Sequence, residues 1–436
     1  MIEFNLRTLK KCNLLKVGLC KNILPTFILL FILKFNFFAQ DSILKGRSSI
    51  GFVPILSFDN DLGIRYGGVF NYFKYDDSSF NYSENLFVRA FNSTKKSFQI
   101  QSVYETDHLL TCAKVFIEGS YLNDRAYDFF GFNGEAKLNP AHVEKHSPFF
   151  IHENYYKIHR ELIRFRFDYQ RYLTSNKFRL LAGFTFNKLS ILQKKTDLNL
   201  YSDYHQFGFI KENEKLGGYV NYITLGLVYE DRDNQVYCND GNWFESFMLF
   251  SPKSISHSAF SKFILNWRLY KKIASSKNIL MLRTSLQGRV SGEIPSFYNS
   301  VYNDTKLSQD GLGGAFNLRG YSRNSVVSSG FGLLNLEIRR NVYEFVFKDK
   351  QIDVECSVFS DQALVLQKYA IRKDHLTSEI LKFYFQENAP NYHLTIGLGA
   401  YLVLNKNSVI SINYGVPLGI GNDSKGAIYI GSSFLF

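Results

Sequence analysis

Apolar and polar side chains alternate with a period of two along almost all of this chain after residue 40. Between residues 163 and 170 the order is Ile163, Arg164, Phe165, Arg166, Phe167, Asp168, Tyr169, Gln170. Strict alternation over about ten residues is typical of a membrane β-strand with one face to lipid and one to a wet lumen. The core of a large soluble sandwich would also alternate, but charge would interrupt its outer face more often.

Sixteen segments of this kind follow one another. They lie near 48–57, 61–75, 79–92, 96–107, 112–128, 154–172, 177–190, 218–232, 242–252, 257–272, 277–291, 326–344, 350–363, 391–404, 407–416 and 426–436. An even number lets the strands run antiparallel and the sheet close without an open edge, which lipid requires. The sequence therefore predicts an all-β fold, a 16-stranded antiparallel transmembrane β-barrel.

The lengths of the connections give an independent indication of the same count. The long connections are 129–153, 192–217, 292–325 and 364–390, and each follows an odd-numbered segment. Bacterial outer-membrane barrels have short periplasmic turns and long outer loops. Since a wrong strand count would scramble this parity, the pattern favours sixteen strands with the long loops at the outer end.

The first 39 residues have the features of a secretory signal peptide. They begin with basic residues, continue with the apolar run 23–33 and end in a small residue, Ala39. The apolar run is short for a transmembrane helix, which needs about 20 apolar residues. We therefore predict Sec export with residues 1–39 removed, and a single outer-membrane barrel domain over residues 40–436.

Composition excludes several other classes of protein. The formal net charge of +12 includes no basic run interleaved with stacking aromatics, so nucleic acid is not an expected partner. Five cysteines without a CxxC pattern predict neither a zinc site nor a disulfide framework. There is no Gly-x-Ser-x-Gly and no spaced cluster of metal ligands, so we expect no enzyme activity, no cofactor and no metal.

A glycine-rich stretch, 311–321, places a single arginine in one of the long loops. Arg319 stands between a leucine and a glycine-tyrosine pair, in the connection between strands eleven and twelve. The odd positions of strand thirteen carry Asp353, Glu355 and Asp361, which alternation places in the lumen. An arginine that reached inward would find these carboxylates, and its planar fork pairs with a carboxylate bidentately. The lumen arginines of the wall could select anions, or hydrate the wall, or pair across it.

These residues resemble the BamA/TamA superfamily of outer-membrane insertases and translocases, the bacterial surface antigen barrels. In that superfamily a sixth outer loop carries a (Val/Leu)-Arg-Gly-(Phe/Tyr) motif, and its arginine meets the acid of a Phe-x-Asp motif on strand thirteen. This chain has Leu318-Arg319-Gly320-Tyr321 and Phe359-Ser360-Asp361. The resemblance implies an inward-folded sixth loop whose Arg319 pairs with lumen acids, for which we expect Asp361 and Glu355 beside Phe359.

Further motifs extend the resemblance over residues 48–436. Strand twelve has Glu337 and Arg339 on its polar face within a pattern similar to the family's. The motif before the fourth periplasmic turn is matched by Asp231-Arg232-Asp233, and the strand-five exit by residues 128–131. A terminal strand with Phe434 and Phe436 on one face resembles the signal that outer-membrane assembly machinery reads. Family members usually carry POTRA domains, and fewer than ten residues separate Gln40 from the first strand, so the chain resembles the POTRA-less subgroup.

Two classes of function remain open from the sequence. The first is assistance in inserting or translocating client polypeptides, through the lumen or at the seam between the first and last strands, where Gly51 and Pro54 would weaken the ladder. The second is a loop-plugged passive or partner-gated channel. In both, the partners are the lipid bilayer and the assembly machinery, and the loop is either a static brace or a moving gate.

Overall fold

The computed structural model of the chain describes all sixteen predicted strand regions, with interruptions at some turns and at the termini. The described residues are 48–59, 61–75, 82–173, 177–193, 198–235, 237–273, 275–306, 309–347, 350–406, 408–418 and 426–431. The predicted signal peptide and the terminal phenylalanines Phe434 and Phe436 lie outside these ranges.

Within the described residues, sixteen strands form one closed antiparallel barrel. They are β1 Ser48–Asp59, β2 Gly63–Tyr75, β3 Tyr82–Ser93, β4 Phe98–Leu110, β5 Ala113–Asp128, β6 Lys157–Tyr172, β7 Phe178–Leu192, β8 Tyr222–Arg232, β9 Gly241–Ser251, β10 Phe260–Ile273, β11 Ser275–Gly292, β12 Gly330–Phe347, β13 Lys350–Gln367, β14 Tyr392–Leu404, β15 Ser408–Leu418 and β16 Ala427–Gly431. A short strand, Gly217–Tyr219, adds to β7 beside the start of β8. The predicted fold class and strand count are confirmed, with most strand ends within about four residues of the predicted ones.

The barrel closes where its first and last strands meet. Each strand pairs antiparallel with the next, and β16 pairs back onto β1 through Phe58↔Ile430 and Asp59↔Tyr429 among the described residues. We call this meeting of β1 and β16 the seam. Closure gives every strand two neighbours, which removes the open edge that lipid would not tolerate.

The alternation in sequence becomes an inner and an outer face. In β6, Ile163 and Phe165 are 45% and 49% exposed on the outside, whereas Arg164 between them is 7% exposed in the lumen. The same division holds in β14, where Leu398 faces outward and Tyr401 inward. An apolar exterior around a polar interior is the arrangement of a barrel solvated by lipid. None of the described helices is both long and apolar enough to cross a membrane.

The long loops pack together as a cap over the outer end of the barrel. They contain two helices, α1 Leu200–Gln206 and α2 Ser378–Tyr384, and the short 3-10 turns Pro140–His142, Glu212–Glu214 and Ser296–Tyr298. Asp203 of α1 accepts hydrogen bonds from Tyr155 at 2.6 Å and Tyr384 at 3.0 Å, which joins three loops. Aromatic side chains fill the space beneath, among them Phe129, Phe132 and Tyr204.

Charge adds to the cohesion of this cap. Glu135 lies in the third outer loop, between β5 and β6. It accepts hydrogen bonds from Lys368 at 2.9 Å and Lys373 at 2.8 Å, both in the seventh outer loop, between β13 and β14. Burial alone would raise the pKa of the Glu135 carboxyl, but the two lysines outweigh burial and lower it. The loops therefore hold one another and do not extend separately into solvent.

Candidate functional site

The sixth outer loop, residues 293–329, turns inward from β11 and β12 and lies against the lumen wall. A two-stranded hairpin, Val301–Tyr302 with Gln309–Asp310, forms its first half. In the glycine-rich second half, the Asn317 side chain accepts from the Gly313 N–H at 2.8 Å and donates to the Gly311 carbonyl at 2.7 Å. These internal bonds shape the loop before it reaches the wall.

Arg319 lies between carboxylates on two neighbouring strands. Its Nε donates to Asp361 Oδ2 at 2.9 Å and its Nη2 to Asp361 Oδ1 at 3.0 Å, a bidentate pair. Its Nη1 donates to Glu337 Oε2 at 2.9 Å, and its Cζ lies 3.3 Å from the centroid of the Phe359 ring. The Arg319 side chain is 1% exposed and both acids are 0% exposed. One guanidinium therefore fixes the loop to both β12 and β13, and we call this group the arginine lock.

Every carboxylate oxygen in the lock accepts a hydrogen bond. Asn335 donates to Asp361 Oδ1 at 2.8 Å, and the Arg319 backbone N–H donates to Asp361 Oδ2 at 3.0 Å. Tyr401 donates to Glu337 Oε1 at 2.5 Å. A buried ion pair stabilises only when its remaining lone pairs are satisfied, and this one meets that condition.

The expected pairing of Arg319 with Glu355 is wrong. Glu355 instead pairs with Arg339, whose Nε lies 2.9 Å from Glu355 Oε2. Glu355 and Asp361 share a face of β13, but six residues of strand separate them by about 20 Å, beyond the reach of one guanidinium. The second partner is Glu337, because β12 and β13 pair with Glu337 opposite Phe359.

The residues around Arg319 each have a distinct packing role. Leu318 and Tyr321 are buried in a cluster with Tyr302 and Phe331. Gly320 has φ +105° and lies against Gly415 of β15, where a Cβ on Gly415 would stand 2.6 Å from the Arg319 carbonyl oxygen. Only glycine allows backbones so close, so the loop and wall are matched at this contact.

The same loop touches both sides of the seam. Tyr429 on β16 accepts a hydrogen bond from the Gly320 N–H at 3.2 Å and donates to the Tyr321 carbonyl at 3.1 Å. On the β1 side, the Arg323 N–H donates to Asp61 Oδ2 at 3.0 Å in the first outer turn. The sixth loop therefore bridges the first and last strands from within.

The hairpin half of the loop supplies contacts that the sequence did not predict. Arg268 of β10 pairs with Asp304, and Arg166 of β6 donates to the Asp304 carbonyl at 2.9 Å. Arg160 forms a bidentate pair with Asp310, at 2.7 Å for both bonds. Arg160 and Arg268 thus pair with acids of the loop, whereas the acid partner of Arg166 is Asp168 of the wall. In the sequence, the inward arginines of β6 and β10 were the signal for these contacts.

The predicted turn motif lies at the opposite, inner end of the barrel. Arg232 donates to Glu230 at 3.1 Å and stacks over the Trp243 ring, with its Cζ 4.4 Å from the centroid. Asp231 is half-buried and accepts from Lys177 at 2.8 Å, and Asp233 accepts from the Asn239 N–H at 3.0 Å. These residues close the β8–β9 turn and make no contact with Arg319.

No metal centre is found in the described part of the chain. No group of three His, Cys, Asp or Glu side chains there could hold a metal ion. Beneath the cap, Phe132, Ile158 and Leu189 line an apolar cavity of about 30 Å³. A cavity of that size admits about one water, so it is too small for an organic ligand.

Comparison with solved structures finds similar barrels. BamA from Haemophilus ducreyi lacking POTRA domains 1-3 matches with TM-score 0.55 and 12% identity, covering 89% of this chain and 70% of that chain. CdiB from Escherichia coli matches with TM-score 0.56 and 10% identity, covering 90% and 64%. CdiB from Acinetobacter baumannii matches with TM-score 0.50 and 12% identity, covering 89% and 60%. No protein-family model and no curated protein matches the sequence.

The sixteen strands and the likeness to these structures define the class of fold. The chain has the β-barrel fold of BamA-type proteins, as its resemblance to the BamA/TamA superfamily predicts. At 10–12% identity the likeness establishes the fold and not the activity. The chain spans less than two-thirds of either CdiB chain, at 64% and 60%.

Proposed function

We propose that this chain is a bacterial outer-membrane barrel that assists the insertion or translocation of polypeptides. In this proposal the sixth outer loop keeps the lumen filled and the seam closed at rest, and its release opens them. Residues 1–39 direct export, residues 40–436 form the barrel, and the outer-membrane assembly machinery inserts it. The apolar exterior of the described strands supports a lipid environment.

One observation carries the proposal: a single inward segment contacts the lumen wall and both sides of the seam. Arg319 forms ion pairs with acids of β12 and β13, and the adjacent Gly320 and Tyr321 form hydrogen bonds with Tyr429 of β16. Four residues further, Arg323 contacts Asp61 beside β1. A loop that only narrowed a pore would not need hydrogen bonds across the seam. Its position supports a role in controlling the β1–β16 pair, where an opened edge could receive another strand.

Crosslinking at the seam tests the proposal. A photoreactive amino acid replaces Phe52, which is 58% exposed on the outer face of β1. The matched control replaces Phe165, which is 49% exposed on the outer face of β6, away from the seam. In growing cells we expect newly made outer-membrane polypeptide to crosslink at Phe52→photoprobe and not at Phe165→photoprobe.

The alternative is a passive or partner-gated channel closed by the same loop. Under this alternative neither probe captures a polypeptide, whereas small solutes pass once residues 311–323 are deleted. Conductance through the barrel lacking residues 311–323, with no polypeptide crosslinked at either probe, would therefore overturn the polypeptide-handling function and favour the channel. Capture at Phe52 alone supports handling of polypeptides whatever the conductance.

A further inference from the structure

The β8–β9 turn, described for residues 233–235 and 237–240, folds into the lumen at the inner end of the barrel. It follows an even-numbered strand, so it lies opposite the cap. Tyr237 and Cys238 near its tip are only 4% and 5% exposed. A short turn at a barrel rim normally projects into water, and its polar backbone needs no partner there. This turn instead buries its tip among side chains of other strands.

The far wall of the barrel receives the tip. Tyr237 donates to Glu355 of β13, and its ring packs against Tyr401 and Val403 of β14 and Val409 of β15. These strands are five to seven positions around the barrel from β8, so the contact crosses the lumen. A turn anchored this way obstructs the inner mouth.

Arg339 of β12 completes the anchorage. Its Nη2 donates to the Cys238 carbonyl at 3.3 Å and to Asn239 Oδ1 at 3.0 Å. Its guanidinium also pairs with Glu355 and lies 4.9 Å from the centroid of the Tyr237 ring. Arg339, Glu355 and Tyr237 thus contact one another, and we call them the inner latch.

Apolar packing holds the other side of the turn. Cys238 is buried against Tyr270 of β10 and against Ile279 and Met281 of β11. Burial and the nearby Asp233 carboxylate raise the pKa of the Cys238 thiol to about 12. The thiol is therefore shielded and unreactive while the turn is in place.

Two routes connect the β8–β9 turn to the sixth outer loop. Tyr401 packs against Tyr237 and also donates to Glu337, the acid that Arg319 holds. At the base of the turn, the Trp243 ring has Arg232 at 4.4 Å on one side and Lys306 of the sixth loop at 5.5 Å. Both routes consist of direct contacts between side chains.

We propose that the β8–β9 turn is a second, inner gate of the lumen, and that release of the sixth outer loop loosens it. The arginine lock and the inner latch share Tyr401 as a neighbour. Loss of Arg319 leaves Glu337 without its cation, and a shift of Tyr401 with Glu337 then disturbs the packing of Tyr237. This coupling holds whether the barrel carries polypeptide or solute, and it is independent of the proposed function.

The buried thiol of Cys238 provides the measurement. Every other cysteine is replaced by serine, and the barrel is reconstituted in vesicles and labelled from both sides with a polar maleimide. Rates are taken from the folded band on unheated gels, so that unfolded molecules do not contribute. The starting protein is the barrel in which Cys238 is the one remaining cysteine. We expect its Cys238 to be labelled about a hundredfold more slowly in the folded barrel than in urea. Tyr237→Phe removes one bond to a carboxylate and should accelerate labelling about tenfold.

The coupling is tested by a change that does not touch the turn. Arg319→Gln should accelerate Cys238 labelling about tenfold, whereas Arg289→Gln, on the exposed outer rim of β11, should leave it unchanged. If Arg319→Gln does not fold, Tyr401→Phe breaks the same route while keeping the ring. Labelling in the starting protein as fast as in urea would overturn the gate. A rate within twofold of the starting protein in both coupling variants would overturn the coupling.

Discussion

The arginine lock gives the strongest single prediction. Arg319→Met keeps much of the side-chain volume but removes the guanidinium, and it leaves Asp361 and Glu337 buried at 0% exposure without their cation. Removing one partner of a buried ion pair costs about 3–5 kcal/mol. At about 1.4 kcal/mol per tenfold, the equilibrium for detaching the loop should rise roughly a hundred- to several-thousand-fold.

Limited proteolysis reports that equilibrium. Chymotrypsin added from the outer side should cut after Tyr321 only once the loop leaves the wall, since Tyr321 is 5% exposed. When opening and reclosing are faster than cleavage, the rate of cleavage tracks the open population. We therefore expect cleavage in the Arg319→Met barrel at least about a hundred times faster than in the unaltered barrel.

The control and a double change make the interpretation specific. Arg289→Met alters an exposed arginine that donates to the Gly292 carbonyl at 2.9 Å, so its effect should stay within about 0.5 kcal/mol. Asp361→Asn should resemble Arg319→Met, and the combined change should cost less than the sum because the two residues are partners. Cleavage of the Arg319→Met loop within threefold of the unaltered rate would refute the lock.

Three further predictions concern the hairpin, the cap and the close contact at the wall. Asp304→Asn removes the loop carboxylate that pairs with Arg268, so the barrel should lose its folded gel mobility at a lower temperature. Because the pKa of Glu135 is lowered in the folded cap, its contribution to stability is present above its unfolded pKa and disappears as the pH falls through the lowered value. The protection of residues 368–391 from hydrogen exchange, taken relative to the intrinsic exchange rate at each pH, should therefore fall in acid, and Glu135→Gln should lower it at neutral pH. Gly415→Ala places a Cβ 2.6 Å from a carbonyl oxygen of the arginine lock and should speed chymotrypsin cleavage of the sixth loop.

Two of these have a matched comparison in the chain. Asp374→Asn changes an exposed acid of the seventh loop and should leave the gel transition in place. Gly119→Ala adds a Cβ that meets nothing within 4 Å and should not affect cleavage. Equal effects from a variant and its control would contradict the contact concerned. A protection from exchange in the cap, relative to the intrinsic rate, that is the same at neutral and acid pH would contradict the role of Glu135.

The barrel could be predicted from sequence because its signal repeats in every strand. Alternation determines which side chains face lipid, and the parity of the loop lengths determines the number of strands. The errors of the prediction are therefore confined to the ends of the strands. The prediction ended strand thirteen at residue 363, whereas β13 continues to Gln367 because Val365 still faces inward and packs on the loop. Inward packing of that kind depends on a segment far away in the chain.

The arginine lock could be predicted only in part, because its partners also lie far away in the chain. A short motif pointed to Arg319 and Asp361, but periodicity gives the face of a residue and not its depth along the barrel. Choosing Glu337 over Glu355 requires the register between β12 and β13. The contact of Arg166 with Asp304 joins residues 138 apart in sequence, and no local pattern encodes such a partner.

The way the sixth loop is held has a consequence for how the barrel is made. Its hairpin pairs with β6 and β10, and its glycine-rich half with β12, β13 and β16. Once the first and last strands have joined, a hairpin that has not yet paired must bring these charges through the outer mouth at the cost of desolvating them. We therefore expect assembly to place the loop while the sheet is still open, with the final strands closing around it. During biogenesis the loop would act as an internal template for closure of the sheet. The barrel of a chain lacking residues 301–310 should therefore close more slowly.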